Sequence, residues 1–277
     1  MPQHAPGGPP HQPATGAMVT APAHWRTLDF ISDLHLQVSD PLTFAAWQHY
    51  MAGTSADALF ILGDLFEVWV GDDITTAPDD PDGAFALQCQ QVLQATSTRL
   101  QVYFMHGNRD FLLGEDFAKA CGMRLLPDPT MLNFDGQRCL LSHGDALCLD
   151  DVDYQQFRLQ VRSPAWQKNF LAQPLSVRQA LARSLRAQSE SRKASGASYA
   201  DVDTDAAKAW LRSHAASTLI HGHTHQPKNH LLEATAQPAL RRVVLSDWDA
   251  AARPPRLEVL RLQAGQAPRR VALAPEL

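Results

Sequence analysis

Five short apolar runs in this chain each stop at residues of the kind that bind metal ions. Phe60-Ile61-Leu62-Gly63-Asp64 shows the pattern most sharply, ending on a carboxylate. Leu28-Asp29-Phe30-Ile31 leads to Asp33 and His35, and Leu100–Met105 leads to Asn108. Arg138–Leu141 leads to His143, and Ser217–Ile220 leads to His223 and His225. Short runs of this type read as buried strands. Open α/β sheets place their sites beyond the carboxyl ends of such strands. An α/β fold with one lip carrying all seven side chains is therefore expected. In extended backbone, residues i and i+2 point to the same side, so Asp33 converges with His35 and His223 with His225. His221 lies a residue pair further back and is expected to pack behind the site. Gly63 lets the backbone come close to a bound ion.

Each signal alone is weak, since an Asp-x-His pair, an asparagine in a turn and clustered histidines are all common. Their conjunction predicts a two-ion centre with Asp64 as the bridge. Three oxygen donors (Asp33, Asp64, Asn108) and four imidazoles (His35, His143, His223, His225) suit Mn, Fe, Zn or Co better than Mg or Ca. No thiolate joins them, which disfavours a structural zinc site. Two adjacent ions suit in-line displacement at phosphorus, and hence hydrolysis of a phosphate ester or anhydride. Arg109, beside Asn108, offers a planar fork of donors suited to phosphate.

The rest of the chain is ordinary for a globular protein. It has 277 residues, 45% hydrophobic and 19% charged, with net charge −5 and no nucleic-acid footprint. Cys89, Cys121, Cys139 and Cys148 lack CxxC spacing and are expected to be buried, reduced thiols of a cytosolic protein. No apolar window is long enough to span a membrane. Residues 1–23 carry six prolines and no signal-like apolar core, so they are expected to form a disordered extension, with Met18 as an alternative start. Residues 24–277 then form one domain. Helices are expected from Asp40-Pro41 to about Ala52, over Ala84–Ala95, near Glu115–Cys121 and over Asp203–Ala215. Arg242–Leu245 and Leu257–Leu262 read as short closing strands. In the loop 65–83, Glu67, Asp72 and Asp73 are expected either near the site or in solvated or capping roles.

An insertion over about 150–200 stands apart. Between Tyr154 and Lys193 it carries eight Lys or Arg against one acid, Glu190, interleaved with apolar residues from Phe157 to Leu185. It reads either as a helical pair packing on the core with a solvated basic face, or as a lid that takes acyl chains on its apolar side and meets anionic lipid with its charges. Arg178 falls inside its apolar arc, an odd place for a surface charge.

Asp33-x-His35, Gly63-Asp64, Gly107-Asn108-Arg109-Asp110, His143 and Gly222-His223-Thr224-His225 together resemble the calcineurin-like metallophosphoesterase signature. That resemblance implies a β-sandwich of two sheets flanked by helices, here with a helical cap insertion. More narrowly, LGDLFEVWVGDD, GNRDFLLG, HGDALCLDDVDYQQFR and HGHTHQP resemble the UDP-2,3-diacylglucosamine diphosphatase family of lipid A biosynthesis, over roughly residues 28 to 250. The resemblance implies one Mn²⁺ held by Asp33, His35, Asp64 and His225, and a second held by Asp64, Asn108, His143 and His223. It further implies catalytic roles for Asp64, Asn108, Arg109 and His143. Substrate contacts would come from Asn108, Arg109, Asp151, Ser189, Lys193 and His223, with the insertion as acyl-chain cap. Cleavage of a UDP-linked diacyl glycolipid to UMP and a sugar 1-phosphate would follow, on the cytoplasmic face of the inner membrane and without an obligate protein partner. Related protein phosphatases carry histidine where Arg109 stands, to protonate an alkoxide. A sugar 1-phosphate is a better leaving group and needs only steadied charge. Two alternatives remain: the same chemistry on a soluble nucleotide or phosphodiester, and a scaffold that binds partners without turnover. All seven ligands are present, which argues against the scaffold.

Overall fold

The apolar runs become strands whose alternate residues face different cores. The computed structural model describes residues 17–194 and 200–274, without the side chains of 187–194. In chain order the strands are β1 Ala17–Thr20, β2 Thr27–Ile31, β3 Ala58–Leu62, β4 Gln101–Met105, β5 Met123–Leu126 and β6 Thr130–Phe134. They continue as β7 Gln137–Leu141, β8 Thr218–His221, β9 Lys228–Glu233, β10 Leu240–Val244, β11 Glu258–Gln263 and β12 Arg269–Ala272. The helices are α1 Pro41–Gly53, α2 Pro81–Ser97, α3 Glu115–Cys121, α4 Val152–Val161, α5 Pro164–Leu171, α6 Leu175–Ala194 and α7 Thr204–Ser213. One sheet has the order β1-β6-β7-β8-β10-β9 and the other β12-β11-β2-β3-β4-β5.

The two sheets pack face to face. On β3, Ala58, Phe60 and Leu62 point into the core between the sheets, while Leu59 and Ile61 point into the layer of helices. Both faces of the strand are covered, which is why its sequence is a continuous apolar run rather than an alternating one. Phe30, Phe60 and Tyr103 stack across β2, β3 and β4 at centroid spacings of 5.0 and 4.7 Å, which holds the three strands in register. These strands run parallel, as do β7 and β8 in the facing sheet, so their carboxyl ends open at a common lip. Helices α1 to α3 cover one outer face, and α7 packs through Ala207 and Leu211 on the other. Asp40 starts α1 by accepting the Thr43 N–H at 3.1 Å, with Pro41 in the first turn where its missing donor costs nothing.

Two sequence expectations need correction. Ala17–Thr20 is not part of an unstructured extension: it pairs in parallel with β6 from Ala17↔Thr130 to Thr20↔Asn133. Residues 1–16 lie outside the described residues. The insertion contains three helices rather than a pair, because Ser163-Pro164 caps and restarts the chain after α4. Ser163 accepts from the Trp166 N–H at 3.4 Å, and proline at the first position breaks continuity with the preceding turn. Among the described residues, no helix is long and apolar enough to cross a membrane.

Candidate metal centre

The seven ligand-type side chains converge at the lip. Asp33 and His35 follow β2, Asp64 follows β3, Asn108 follows β4, His143 follows β7, and His223 and His225 follow β8. The chain turns sharply at nearly every one of them. Asp33, His35, Asp64, His223 and His225 all have left-handed backbones, with φ between 51° and 68°. Such conformations cost a non-glycine residue of the order of 1 kcal/mol each, and their clustering here marks a built site.

Two groups of donors form. In the first, His35 Nε2 lies 3.3 Å from His225 Nε2, His225 Nε2 lies 3.4 Å from Asp33 Oδ1, and His35 Nε2 lies 3.9 Å from Asp64 Oδ2. In the second, Asn108 Oδ1 lies 3.0 Å from His143 Nε2 and 2.9 Å from His223 Nδ1, and His143 Nε2 lies 3.8 Å from Asp64 Oδ1. Asp64 thus reaches both groups through different oxygens. Asp33, His35 and His225, and again Asp33, Asp64 and His143, each offer ligand atoms within 4.8 Å of one another.

The surroundings aim these donors. His143 Nδ1–H donates to the Leu62 carbonyl at 2.9 Å, which leaves Nε2 facing the centre. His35 Nδ1 lies 2.9 Å from Glu67 Oε2, which leaves its Nε2 facing the same way. A carboxylate or carbonyl behind a histidine is the usual means of fixing the ligating nitrogen. Asp33 accepts the Ser32 hydroxyl at 2.6 Å and the His223 N–H at 2.9 Å. The Arg109 N–H donates to Asp64 Oδ1 at 2.8 Å. Glycine is required where turns cross, since a Cβ on Gly107 would overlap the Asp64 carboxylate.

Electrostatics match the donor set. Burial alone would raise Asp33, but the hydrogen bond to His225 and the charges of His225, His143 and His35 hold it far below the usual carboxylate range. Burial opposes charge on His143, yet Asp64, Asp33 and Asp145 outweigh it and push its pKa up to about 9. His223 moves the other way, to about 4, through burial and the neighbouring His143. A cavity so rich in carboxylate and imidazole holds its parts together only by proton sharing or by cations. Mixed N and O donors converging from both sheets therefore fit divalent metals.

Several residues that the sequence reading left open or unassigned now have places. Glu67 sits between His35, Arg109 at 3.5 Å and Arg186 at 3.3 Å. Burial opposes its charge, but the hydrogen bond and charge of His35 and the two arginines bring its pKa down to about 2. Asp72 takes the capping role, accepting the Gly114 and Phe117 N–H groups at the start of α3. Asp73 pairs with Arg178, which is 1% exposed and also donates to the Val70 carbonyl, so this arginine clasps α6 to the loop after β3. Asp110, the last residue of the Gly107-Asn108-Arg109-Asp110 motif, gathers the N–H groups of Gly107, Asp64 and Leu65 and so ties two ligand turns together. Burial and the charge of Asp64 raise its pKa to about 7. His221 is fully buried behind the site, its Nδ1–H donating to the Gly222 carbonyl at 2.8 Å.

The expected substrate contacts are less gathered. Arg109 reaches the centre through its backbone and meets Glu67 through its side chain. Asp151 caps α4 by accepting the Tyr154 N–H at 3.1 Å. Ser189 and Lys193 belong to α6, but their side chains lie outside the described residues. The backbone strain, the carboxylate and the carbonyl that aim His35 and His143, and the N–H contacts of Asp110 carry no local sequence signal.

Comparison with known proteins agrees with this geometry. A family model for calcineurin-like phosphoesterases matches residues 26–227, which include every ligand turn. An Aromatoleum aromaticum protein named UDP-2,3-diacylglucosamine hydrolase is 47% identical over 222 residues, covering 79% of this chain and 88% of its own. Proteins of the same name from Stenotrophomonas maltophilia and Chromobacterium violaceum are 44% and 47% identical, covering 85% and 80% of this chain and 94% and 90% of theirs. By its motifs, its sandwich and these relatives, the chain belongs to the calcineurin-like phosphoesterase family.

Proposed function

We propose that this protein hydrolyses the diphosphate of UDP-2,3-diacylglucosamine, releasing UMP and 2,3-diacylglucosamine 1-phosphate, as a step of lipid A biosynthesis. The observation that carries the chemistry is the convergence of seven N and O donors around Asp64, which faces both halves of the centre. Two Mn²⁺ ions fit the reading, one among Asp33, His35, Asp64 and His225, the other among Asp64, Asn108, His143 and His223. When bound, such ions supply Lewis-acid activation of water and neutralise charge at phosphorus. The side chains do the remainder. Glu67 and the Leu62 carbonyl keep His35 and His143 turned toward the centre. The Asn108 amide oxygen stands between His143 and His223, which supports a ligand role and leaves the amide NH2 as the group that would donate to a phosphoryl oxygen. Arg109 carries a fixed positive charge beside the site and steadies the departing sugar phosphate, which needs little protonation.

The lid supports a lipid substrate. Phe157, Leu171, Leu181 and Leu185 are large apolar side chains left 38–45% exposed on its helices. A cavity of ≈ 350 Å³ beside Glu67 is lined by Phe66, Val68, Val70, Phe85 and the lid residue Arg186. Asp151, Ser189 and Lys193 are candidate contacts to the sugar or diphosphate. With a basic, apolar lid, the protein would work as a peripheral protein on the cytoplasmic face of the inner membrane, with no nucleic acid and no obligate protein partner.

The test is hydrolysis of UDP-2,3-diacylglucosamine in mixed micelles, with Mn²⁺ and with chelator, following UMP. Metal-dependent UMP release is expected. Absence of release, alongside metal-dependent cleavage of a simple phosphodiester, would keep the centre and discard the lipid.

A further inference from the structure

We propose that Asp145 is a positioning residue, the post that fixes lid helix α4, and with it Tyr154, over the metal centre. This rests on the lipid-substrate reading above only for its kinetic test. Asp145 follows His143 by two residues and is fully buried. It sits at the start of a 3-10 turn, Asp145–Leu147, entered through Gly144 at φ 111°, where a Cβ would come 2.7 Å from His221 Nδ1. Its Oδ2 accepts the Tyr154 hydroxyl at 2.6 Å and Arg158 Nε–H at 2.8 Å, with Arg162 at 3.8 Å. Its own carbonyl accepts Gln155 Nε2–H at 2.7 Å. Tyr154, Arg158 and Arg162 recur at four-residue spacing and so share one face, and this carboxylate gathers that face of α4 at the sandwich.

The geometry leads from Asp145 back to the site. Tyr154, held by its hydroxyl, stacks on the His223 ring at 5.9 Å and 27°. Arg162, at the end of α4, donates to the Gly107 carbonyl at 2.8 Å, next to Asn108. This carboxylate therefore helps to set where α4 stands relative to His223 and Asn108. A neutral amide in its place could still accept through one oxygen, but it would leave Arg158 without its counter-charge and weaken both hydrogen bonds.

The test uses the full-length, metal-loaded protein and Asp145→Asn, with Tyr154→Phe and Arg158→Lys as milder variants. Three readouts are taken: bound metal, turnover of bis-p-nitrophenyl phosphate against UDP-2,3-diacylglucosamine, and hydrogen–deuterium exchange. Loss of a positioning contact is expected to raise KM for the lipid about tenfold, while kcat changes by about threefold or less. Metal content and turnover of the small diester should hold in Arg158→Lys, whereas Asp145→Asn also removes one of the charges that act on His143. Exchange should quicken over residues 152–161 and remain unchanged over 27–31 and 58–62. Arg158→Lys should fall between wild type and Asp145→Asn. Loss of metal or of small-diester turnover in Arg158→Lys would overturn the proposal, assigning the Asp145–Arg158 pair to the metal centre rather than to the lid. Unaltered exchange over 152–161 would overturn it as well. If the wild type fails to cleave the lipid, the substrate reading falls, and exchange alone still decides the role of Asp145.

Discussion

His35 and His225 stand 190 residues apart in the chain, yet their Nε2 atoms lie 3.3 Å from each other. Both residues adopt left-handed backbones, φ 51° and 52°, one at the end of a strand in each sheet. Two bare imidazole lone pairs at that distance repel unless a proton or a cation lies between them. The sandwich thus spends strain and repulsion to assemble a place for a cation, with Asp64 closing the group from the other side.

Replacing Asp64 by Asn tests that arrangement directly. It removes the charge whose two oxygens face His35 on one side and His143 on the other, while the amide keeps the shape of the turn. Turnover should fall by at least about 10³-fold, with the folded far-UV spectrum retained and bound metal reduced. Activity within a few fold of wild type would refute a shared bridging carboxylate.

His143 predicts a pH dependence. In the metal-free protein its pKa is raised to about 9, so its charged form stabilises the fold fully below the ordinary value of 6.5. That contribution fades as pH rises through about 9. Metal uptake must displace the Nε2 proton, so metal affinity should tighten over the same interval and about one proton should be released at neutral pH. Calorimetry of Mn²⁺ binding in two buffers of different ionisation enthalpy measures that proton. A buffer-independent enthalpy would show that His143 is already neutral or does not bind metal.

The sequence made the interior strands and their ligand ends legible for a physical reason. β2, β3, β4, β7 and β8 are covered on both faces, so their apolar runs are continuous and end where the lip opens. The strands that escaped notice include all four sheet edges, β1, β9, β5 and β12. Edge strands such as Lys228–Glu233 and Arg269–Ala272 are half exposed and carry charge, so neither period nor hydrophobicity marks them. The site was legible as a set of ligand types, because each stood at the end of a readable strand. Its supporting shell was not. Glu67 behind His35, Asp110 beneath two turns and Asp145 beneath the lid are joined to their partners only by folding. Arg178 shows both sides of this: its odd place in an apolar arc was visible, but Asp73 and the Val70 carbonyl were not nameable as partners.

Arg178→Ala should therefore loosen the lid rather than the sandwich. The arginine is 1% exposed, but the Asp73 side chain is 52% exposed and is readily hydrated once freed. The cost should be confined to α6, with faster proteolysis within 150–200 and a melting temperature of the sandwich lowered by only about 2 °C or less. Limited proteolysis with and without substrate measures this. A global loss of stability would mean that the clasp belongs to the core.

Gly107→Ala adds one methyl group where the turns after β3 and β4 cross. Its Cβ would overlap the Asp64 carboxylate and crowd the Asp64 backbone N–H, so one of the two turns must move. Displacement of catalytic groups by about 1 Å can cost about 10²-fold in rate. Loss of that size is expected for Gly107→Ala, together with weaker metal binding. Gly53→Ala is the control, since nothing lies within 4 Å of its Cβ at the end of α1. That change should leave turnover alone and shift stability by no more than about 1 kcal/mol. Metal titration and steady-state turnover of the two variants side by side measure the difference. Equal behaviour would show that the Asp64 turn yields freely, and that the close crossing at Gly107 is not what holds the bridging carboxylate in place.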